Sequence, residues 1–358
     1  MKFSKKATLG LLFSLTLIVA GCGQKSASDA NTASTGTSVP VETETEKLNV
    51  QVSFYPMYEF TKNVAGDLAD VHTLVPAGME PHDWEPTPQD IASIEKADVL
   101  VYNGAGMESW IDQVTGSLSN ASLIQVEASK DINLLEGGEH DHHHEDSEAT
   151  EHDHDHEHAN EATTEEHDHD HGAEAEAGHD HDHGGLDPHV WLSPALAVKE
   201  VRNIEAGLAQ AAPEHAEQFK QNADAYVAQL ESLDQDFKAA VTDSKRKDFI
   251  TQHAAFGYLA KEYGLQQVPI AGLSPEQEPS AAQMASVIDF AKEHQVKIIF
   301  FETLVSSKVS ETIASEVGAK TAVLNPIEGL TEEEIAAGMD YIGVMRQNLE
   351  ALKLALNE

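Results

Sequence analysis

The 358-residue chain carries 22 Lys and Arg against 62 Asp and Glu, a formal net charge of −40 at pH 7. This balance excludes a general nucleic-acid binder, which needs clustered cations against phosphate. It also disfavours adhesion to anionic lipid through a basic face. Of its 20 histidines, fourteen fall between His140 and His183, a stretch with no Lys or Arg. Nineteen carboxylates share the span from Glu136 to Asp182.

In chain order, Lys2, Lys5 and Lys6 precede an apolar run, Ala7 to Ala20. That run suits a signal-peptide core and is short for a membrane span, which needs about 20 residues. It ends Val19-Ala20-Gly21-Cys22, and small residues directly before a Cys resemble a bacterial lipoprotein signal. Residues 1–21 are therefore expected to be a signal peptide. Cys22, the single cysteine of the chain, is expected to be lipidated and to anchor the protein on the outer side of the cell membrane. A chain with one Cys at this position has no disulfides and no thiolate metal ligands in its mature form. Residues 23–47 are rich in Ser, Thr and Ala without apolar periodicity and read as a flexible tether.

Beyond the tether, strand and helix signals alternate. Leu48–Phe54 reads as a strand, Tyr58–Val64 as a helix and Val71–Val75 as a strand. Thr87 with Pro88 marks an N-cap and first helical position, opening a helix to Lys96. A strand at Asp98–Tyr102 and a helix at Met107–Leu118 follow. Ser193-Pro194 opens helical sequence that runs to Val241, interrupted near Pro213. There Phe219, Ala223, Tyr226, Leu230, Leu233, Phe237 and Val241 recur at spacings of four and three, a single apolar seam. The alternation then resumes: strand Phe249–Thr251, helix Ala254–Tyr263 and strand Gln267–Ile270. A helix from the Ser280/Gln283 capping box runs to His294. Strand Lys297–Phe301, helix Ser307–Val317, strand Thr321–Leu324 and a last helix capped by Thr331 and Glu334 complete the chain. The order predicts two α/β domains with mostly parallel sheets, residues 48–212 and 242–358, joined by a long helix at 213–241.

Six histidines lie outside the acidic stretch. His215 and His294 sit on charged helical faces and read as solvated, and His72 lies within a short strand. His82 (in Gly78–Pro86), His189 (in Leu186–Pro194) and His253 (in Thr251–Phe256) occupy loops beside strand or helix ends, where parallel α/β sheets bind ligands. Neighbouring prolines stiffen the first two loops. Three imidazoles on such loops suit a borderline metal such as Zn²⁺. Trp84, Trp110 and Trp191 read as packing residues.

Segments Gly78–Pro86, Asp187-Pro188-His189-Val190-Trp191-Leu192-Ser193-Pro194, Thr251–Tyr258, Phe300–Lys308 and Leu324–Leu330 together resemble the metal-binding lipoproteins of bacterial zinc and manganese ABC importers. The resemblance runs from Leu48 to Glu358. It implies two (β/α)₄-type domains joined by a rigid helix, with the metal in the cleft between them. It implies His82 and His189 as ligands from the first domain and His253 from the second. The fourth position falls in Asn325–Leu330, with Glu328 the candidate. Glu302, which also follows a strand, is an alternative for that position or a support to the ligands, and Glu80 is a remote alternative. Three histidines and one carboxylate suit tetrahedral zinc, whereas a manganese homologue resembles a two-His, two-carboxylate pattern. A fourth protein ligand also argues against a zinc hydrolase, which keeps an open position. A zinc buffer or adhesin is the remaining alternative. The implied partners are an ABC permease with its ATPase and the membrane through the N-terminal lipid. The carrier is expected to be a monomer and to transport Zn²⁺ as cargo.

The acidic, histidine-loaded stretch cannot bury a core and reads as a disordered insertion at 137–185. His140, His142, His143, His144, His152, His154, His156, His158, His167, His169, His171, His179, His181 and His183 are expected to be auxiliary, low-affinity zinc ligands. The insertion ends close before His189, at the mouth of the expected cleft. Screening limits its electrostatic pull to about 8 Å, so it would gather metal locally.

Overall fold

The computed structural model of the chain describes residues 47–137 and 185–358. The expected signal peptide, Cys22, nearly all of the tether and the fourteen auxiliary histidines lie outside the described residues. Among the described residues the strands form two four-stranded parallel sheets. The first runs β2-β1-β3-β4, from β1 (Leu48–Val52), β2 (Ala69–Thr73), β3 (Val99–Tyr102) and β4 (Ile124–Glu127). The second repeats that topology as β6-β5-β7-β8, from β5 (Asp248–Thr251), β6 (Gln266–Pro269), β7 (Ile298–Phe301) and β8 (Lys320–Val323). Every ladder is parallel.

Alternation along the central strands assigns each sheet two apolar faces. Val50, Val52, Val99 and Val101 point into one core, while Leu100 points to the other side with Leu74, Ile94, Trp110 and Val114. In the second sheet Phe249, Ile298 and Phe300 enter that same main core. Ile250 and Ile299 face a separate cluster with Val287 and Ile313. The main core is thus continuous through both domains.

The first-domain helices are α1 (Tyr55–Ala65), α2 (Pro88–Ile94) and α3 (Ile111–Ser117). Two helices then link the halves, α4 (Pro194–Ala211) and α5 (Ala216–Thr242). At 27 residues α5 is about 40 Å long at 1.5 Å per residue. All seven residues of its predicted seam are buried in the main core. The break before it has a local cause: Ala212, directly before Pro213, takes φ −134°, ψ 79°, because a residue preceding proline is pushed out of the helical region. The second domain adds α6 (Gly257–Tyr263), α7 (Ala281–Glu293), α8 (Lys308–Val317), α9 (Glu332–Ala336) and α10 (Tyr341–Asn357). No helix among the described residues is long and apolar enough to cross a membrane.

Three sequence expectations are corrected. The edge strand β4 was not anticipated. The helix expected over Met107–Leu118 begins only at Ile111, because residues 103–108 turn around the Glu108 carboxylate, which accepts N–H bonds from Asn103 (2.8 Å) and Gly104 (3.0 Å). Thr331 and Glu334 do form a capping box, but on the five-residue α9. The last helix, α10, is capped by Asp340, whose side chain accepts from the Gly343 N–H. Ser193 stands at the N-cap of α4 without a side-chain cap bond, while the Thr87 and Ser280 boxes form as expected. His72 is exposed on β2, and the half-buried His215 ring lies 6.1 Å from Phe219 rather than being fully solvated.

Leu230, fully buried midway along α5, offers a direct check on the seam. Leu230→Ala should lower unfolding stability by about 2–5 kcal/mol, read as a lower urea midpoint with unchanged slope.

Candidate metal centre

Loops at the carboxyl ends of strands from both sheets converge on one point, as expected for open α/β sheets. His82 follows β2, His253 follows β5 and Glu328 follows β8, while His189 precedes the short turn into α4. All four are buried, with no more than 2% of any one exposed. One ligand atom from each lies within 4.8 Å of every other. His82 Nε2 is 3.2 Å from His189 Nε2 and 3.2 Å from Glu328 Oε1. His253 Nε2 is 3.3 Å from His189 Nε2 and 3.2 Å from Glu328 Oε1, and His189 Nε2 is 3.3 Å from that same oxygen. Glu328 Oε1 and the three imidazole Nε2 atoms are thus close enough together to share one ion, and three histidines with one carboxylate form a donor set that suits zinc.

Each candidate ligand is held by its own supports. His189 Nδ1 and its backbone N–H both face Asp187 Oδ1 at 2.9 Å. Asn103 Nδ2–H donates to the preceding Pro188 carbonyl at 3.0 Å. His253 Nδ1 meets Glu302 Oε1 at 2.6 Å, and the same oxygen accepts the His253 N–H at 3.1 Å. A carboxylate at Nδ1 keeps the proton there and leaves the Nε2 lone pair for a metal. Glu80 Oε1 accepts the His82 N–H at 2.9 Å and lies 4.0 Å from His82 Nε2, so it stabilises the loop and stands outside the cluster. Glu302 likewise sits behind His253.

Backbone strain aims the fourth group. Ile327 takes φ +57°, a left-handed conformation that a β-branched residue adopts only when its surroundings enforce it. Those surroundings are Asn325, whose Oδ1 accepts the Ile327 N–H at 2.7 Å, and Asn348, which accepts the Asn325 N–H and donates to the Asn325 carbonyl. Trp191 Nε1–H donates to the Pro326 carbonyl at 2.8 Å, and its ring lies 5.3 Å from that of His189. Trp191, read from sequence as packing, therefore ties the loop of one ligand to the loop of another.

Electrostatics divide the four groups. Burial lowers the His82 pKa to about 4, against the opposing pull of Glu328. Burial acts the same way on His253, but Glu302 and Glu328 together outweigh it and raise that imidazole to about 10. His189 is also raised, by Asp187 and Glu328 against burial. Glu328 is held well below the usual carboxylate range by the His253 charge and by hydrogen bonds from the histidines, despite its burial. The metal-free centre therefore stabilises a carboxylate beside protonated imidazole, a charge distribution that a dication can replace.

Asp187, Asn103 and Trp191 have supporting roles that sequence reasoning did not assign. For Asp187 a signal existed, a carboxylate two residues before a histidine. For Asn103, 85 residues before the Pro188 carbonyl it holds, there was none.

The fold and site define a two-domain α/β protein with a buried candidate metal centre between its sheets. The family model for zinc-uptake complex component A, periplasmic, matches residues 50–355, and the chain belongs to this family. It is 46% identical over 354 residues to the high-affinity zinc uptake system protein ZnuA of Bacillus subtilis, covering 99% of this chain and 98% of that protein. The zinc-binding lipoprotein AdcA of Streptococcus pneumoniae is 41% identical over 307 residues, 86% of this chain, which spans 55% of AdcA's length. A crystal structure of the Zn(II)-bound ZnuA-like domain of Streptococcus pneumoniae AdcA superposes with a TM-score of 0.68 at 39% identity, covering 87% of this chain and all of that domain.

Proposed function

We propose that the protein captures Zn²⁺ outside the cytoplasm and delivers it to the permease of an ABC importer. His82, His189, His253 and Glu328 would be the ligands and the metal the cargo. The observation carrying this reading is the convergence of three Nε2 atoms and one carboxylate oxygen within 4.8 Å of one another, with Glu328 Oε1 at 3.2–3.3 Å from each imidazole. Three imidazoles and one carboxylate suit zinc, and four protein ligands would leave no position for a catalytic water, which favours a carrier over an enzyme. The likeness to a Zn(II)-bound domain supports the metal.

The finer assignments belong to the same reading. Residues 1–21 would be removed and Cys22 lipidated, leaving residues 23–47 as tether; a relative is named a lipoprotein. Residues 48–212 and 242–358 would be the two domains, with the linking helix between. The continuous core beneath α5 resists a large hinge motion, so release would proceed by local loop shifts near the site.

Competition titration against Mn²⁺ tests the assignment. Zinc should bind far more tightly, and comparable or tighter manganese binding would sink the zinc reading in favour of a manganese carrier. Deleting residues 138–184 should lower zinc stoichiometry while one tight site remains. If the tight site disappeared with the segment, the primary ligands would lie there.

A further inference from the structure

Tyr258, on α6 of the second domain, reaches the first domain where the chain leaves and re-enters around residues 138–184. Glu136 and Leu186 form an antiparallel bridge there. The Asp187 N–H donates to the Leu135 carbonyl at 2.9 Å, and Gly137 N–H donates to the Gly185 carbonyl. The Tyr258 hydroxyl spans both strands of this stem. It accepts the Leu135 N–H at 2.9 Å and donates to the Asp187 carbonyl at 2.7 Å. Its ring is buried with Ile132 and Val190. Next to it, Gly257 makes room for the Asp187 carboxylate: a Cβ there would stand 2.6 Å from Asp187 Oδ2 and 3.6 Å from Leu135 Cδ1. Asp187 in turn meets His189 at both its N–H and its Nδ1.

We infer that Tyr258 and Gly257 are positioning residues of the metal centre, seating Asp187 from the opposite domain so that His189 presents Nε2 to the cleft. This rests on the proposed zinc site and names what holds one ligand in register. The physical argument is satisfaction of buried groups. Without the hydroxyl, the Leu135 N–H loses its acceptor and the Asp187 carbonyl its Tyr258 donor, so the stem must shift or hydrate. Either change moves Asp187 relative to the imidazole. Four residues before Gly257 stands His253 itself, so the same chain segment ligates from one domain and braces the ligand of the other.

The test compares native protein, Tyr258→Phe and Gly257→Ala as full chains. Zinc affinity would be read by competition with a chelating dye, with Co²⁺ absorption and amide hydrogen exchange alongside. Tyr258→Phe keeps the ring and its packing, so the fold should persist. Loss of a group that orients a metal-binding histidine costs about 10–100-fold in metal affinity, and about tenfold is expected for each variant. The Co²⁺ ligand-field bands should shift or weaken, and exchange should accelerate over 132–137 and 185–190 alone. Zinc affinities within about twofold of native in both variants would overturn the inference. So would weaker binding accompanied by faster exchange throughout the chain, which would mark general destabilisation. Native protein without tight zinc binding would instead overturn the proposed function, a failure visible in the control.

Discussion

His253→Ala is expected to weaken zinc binding by on the order of 100-fold, and Glu328→Ala by a similar factor. Zinc held by four protein ligands in small structural sites is worth on the order of 10–16 kcal/mol. One ligand of four then accounts for about 3 kcal/mol, or roughly two decades at about 1.4 kcal/mol per decade. His253 has a further reason to matter. Its removal leaves Glu302 buried with 4% exposure and without its imidazole partner, an uncompensated carboxylate that costs additional free energy. Isothermal titration with a chelator competitor measures both variants. A His253→Ala protein with native affinity would remove that residue from the ligand set. The Glu328→Ala protein also addresses hydrolysis: it opens one coordination position to water. Activity on an ester substrate in the native protein, where the position is closed, would contradict a carrier.

Zinc affinity is also expected to fall steeply with acidification, by about 100-fold or more between pH 7.5 and 5.5. The sign follows from the metal-free protonation state. With its pKa near 10, His253 carries a proton on both ring nitrogens throughout that interval, and Zn²⁺ must displace the one on Nε2. One displaced proton makes apparent affinity change about tenfold per pH unit. His189, also raised, increases the slope wherever it is charged in the metal-free form. His82, lowered to about 4, contributes nothing until well below that range. Calorimetry in buffers of different ionisation enthalpy should record at least about one proton released per zinc at pH 7. Flat affinity across the interval, or no proton release, would contradict the charge distribution described for the centre.

Much of the fold was legible because the relevant signals are local. The seam from Phe219 to Val241 needs only the 3.6-residue period, and all its members are buried. Capping boxes at Thr87, Ser280 and Thr331 need only a hydroxyl and its partner three residues on, and each forms. What failed was also local in origin. β4 was missed although strands of the same four-residue length were read, and the turn at residues 103–108 depends on a buried carboxylate that periodicity reads as one more polar residue. The Thr331 box was located correctly and assigned to the wrong helix, because a cap signals a start but not the length that follows.

By itself the sequence determined the type of protein: an acidic α/β chain with a histidine-loaded segment and three further histidines set in loops beside element ends. It also determined which side chains were available, because residue type decides what can donate a lone pair to a metal. Only the tertiary structure decided that His82, His189, His253 and Glu328, as much as 246 residues apart in the chain, bring one ligand atom each within 4.8 Å of the others. It alone decided that Ile327 carries the strain that aims Glu328, and that Asp187, Glu302, Trp191 and Tyr258 hold the loops. The physical reason is one of range. Propensity, periodicity and capping act within a few residues of the chain. The spacing of the four candidate ligand atoms is set by strand ends of two sheets packed against one core, and no local pattern records that distance.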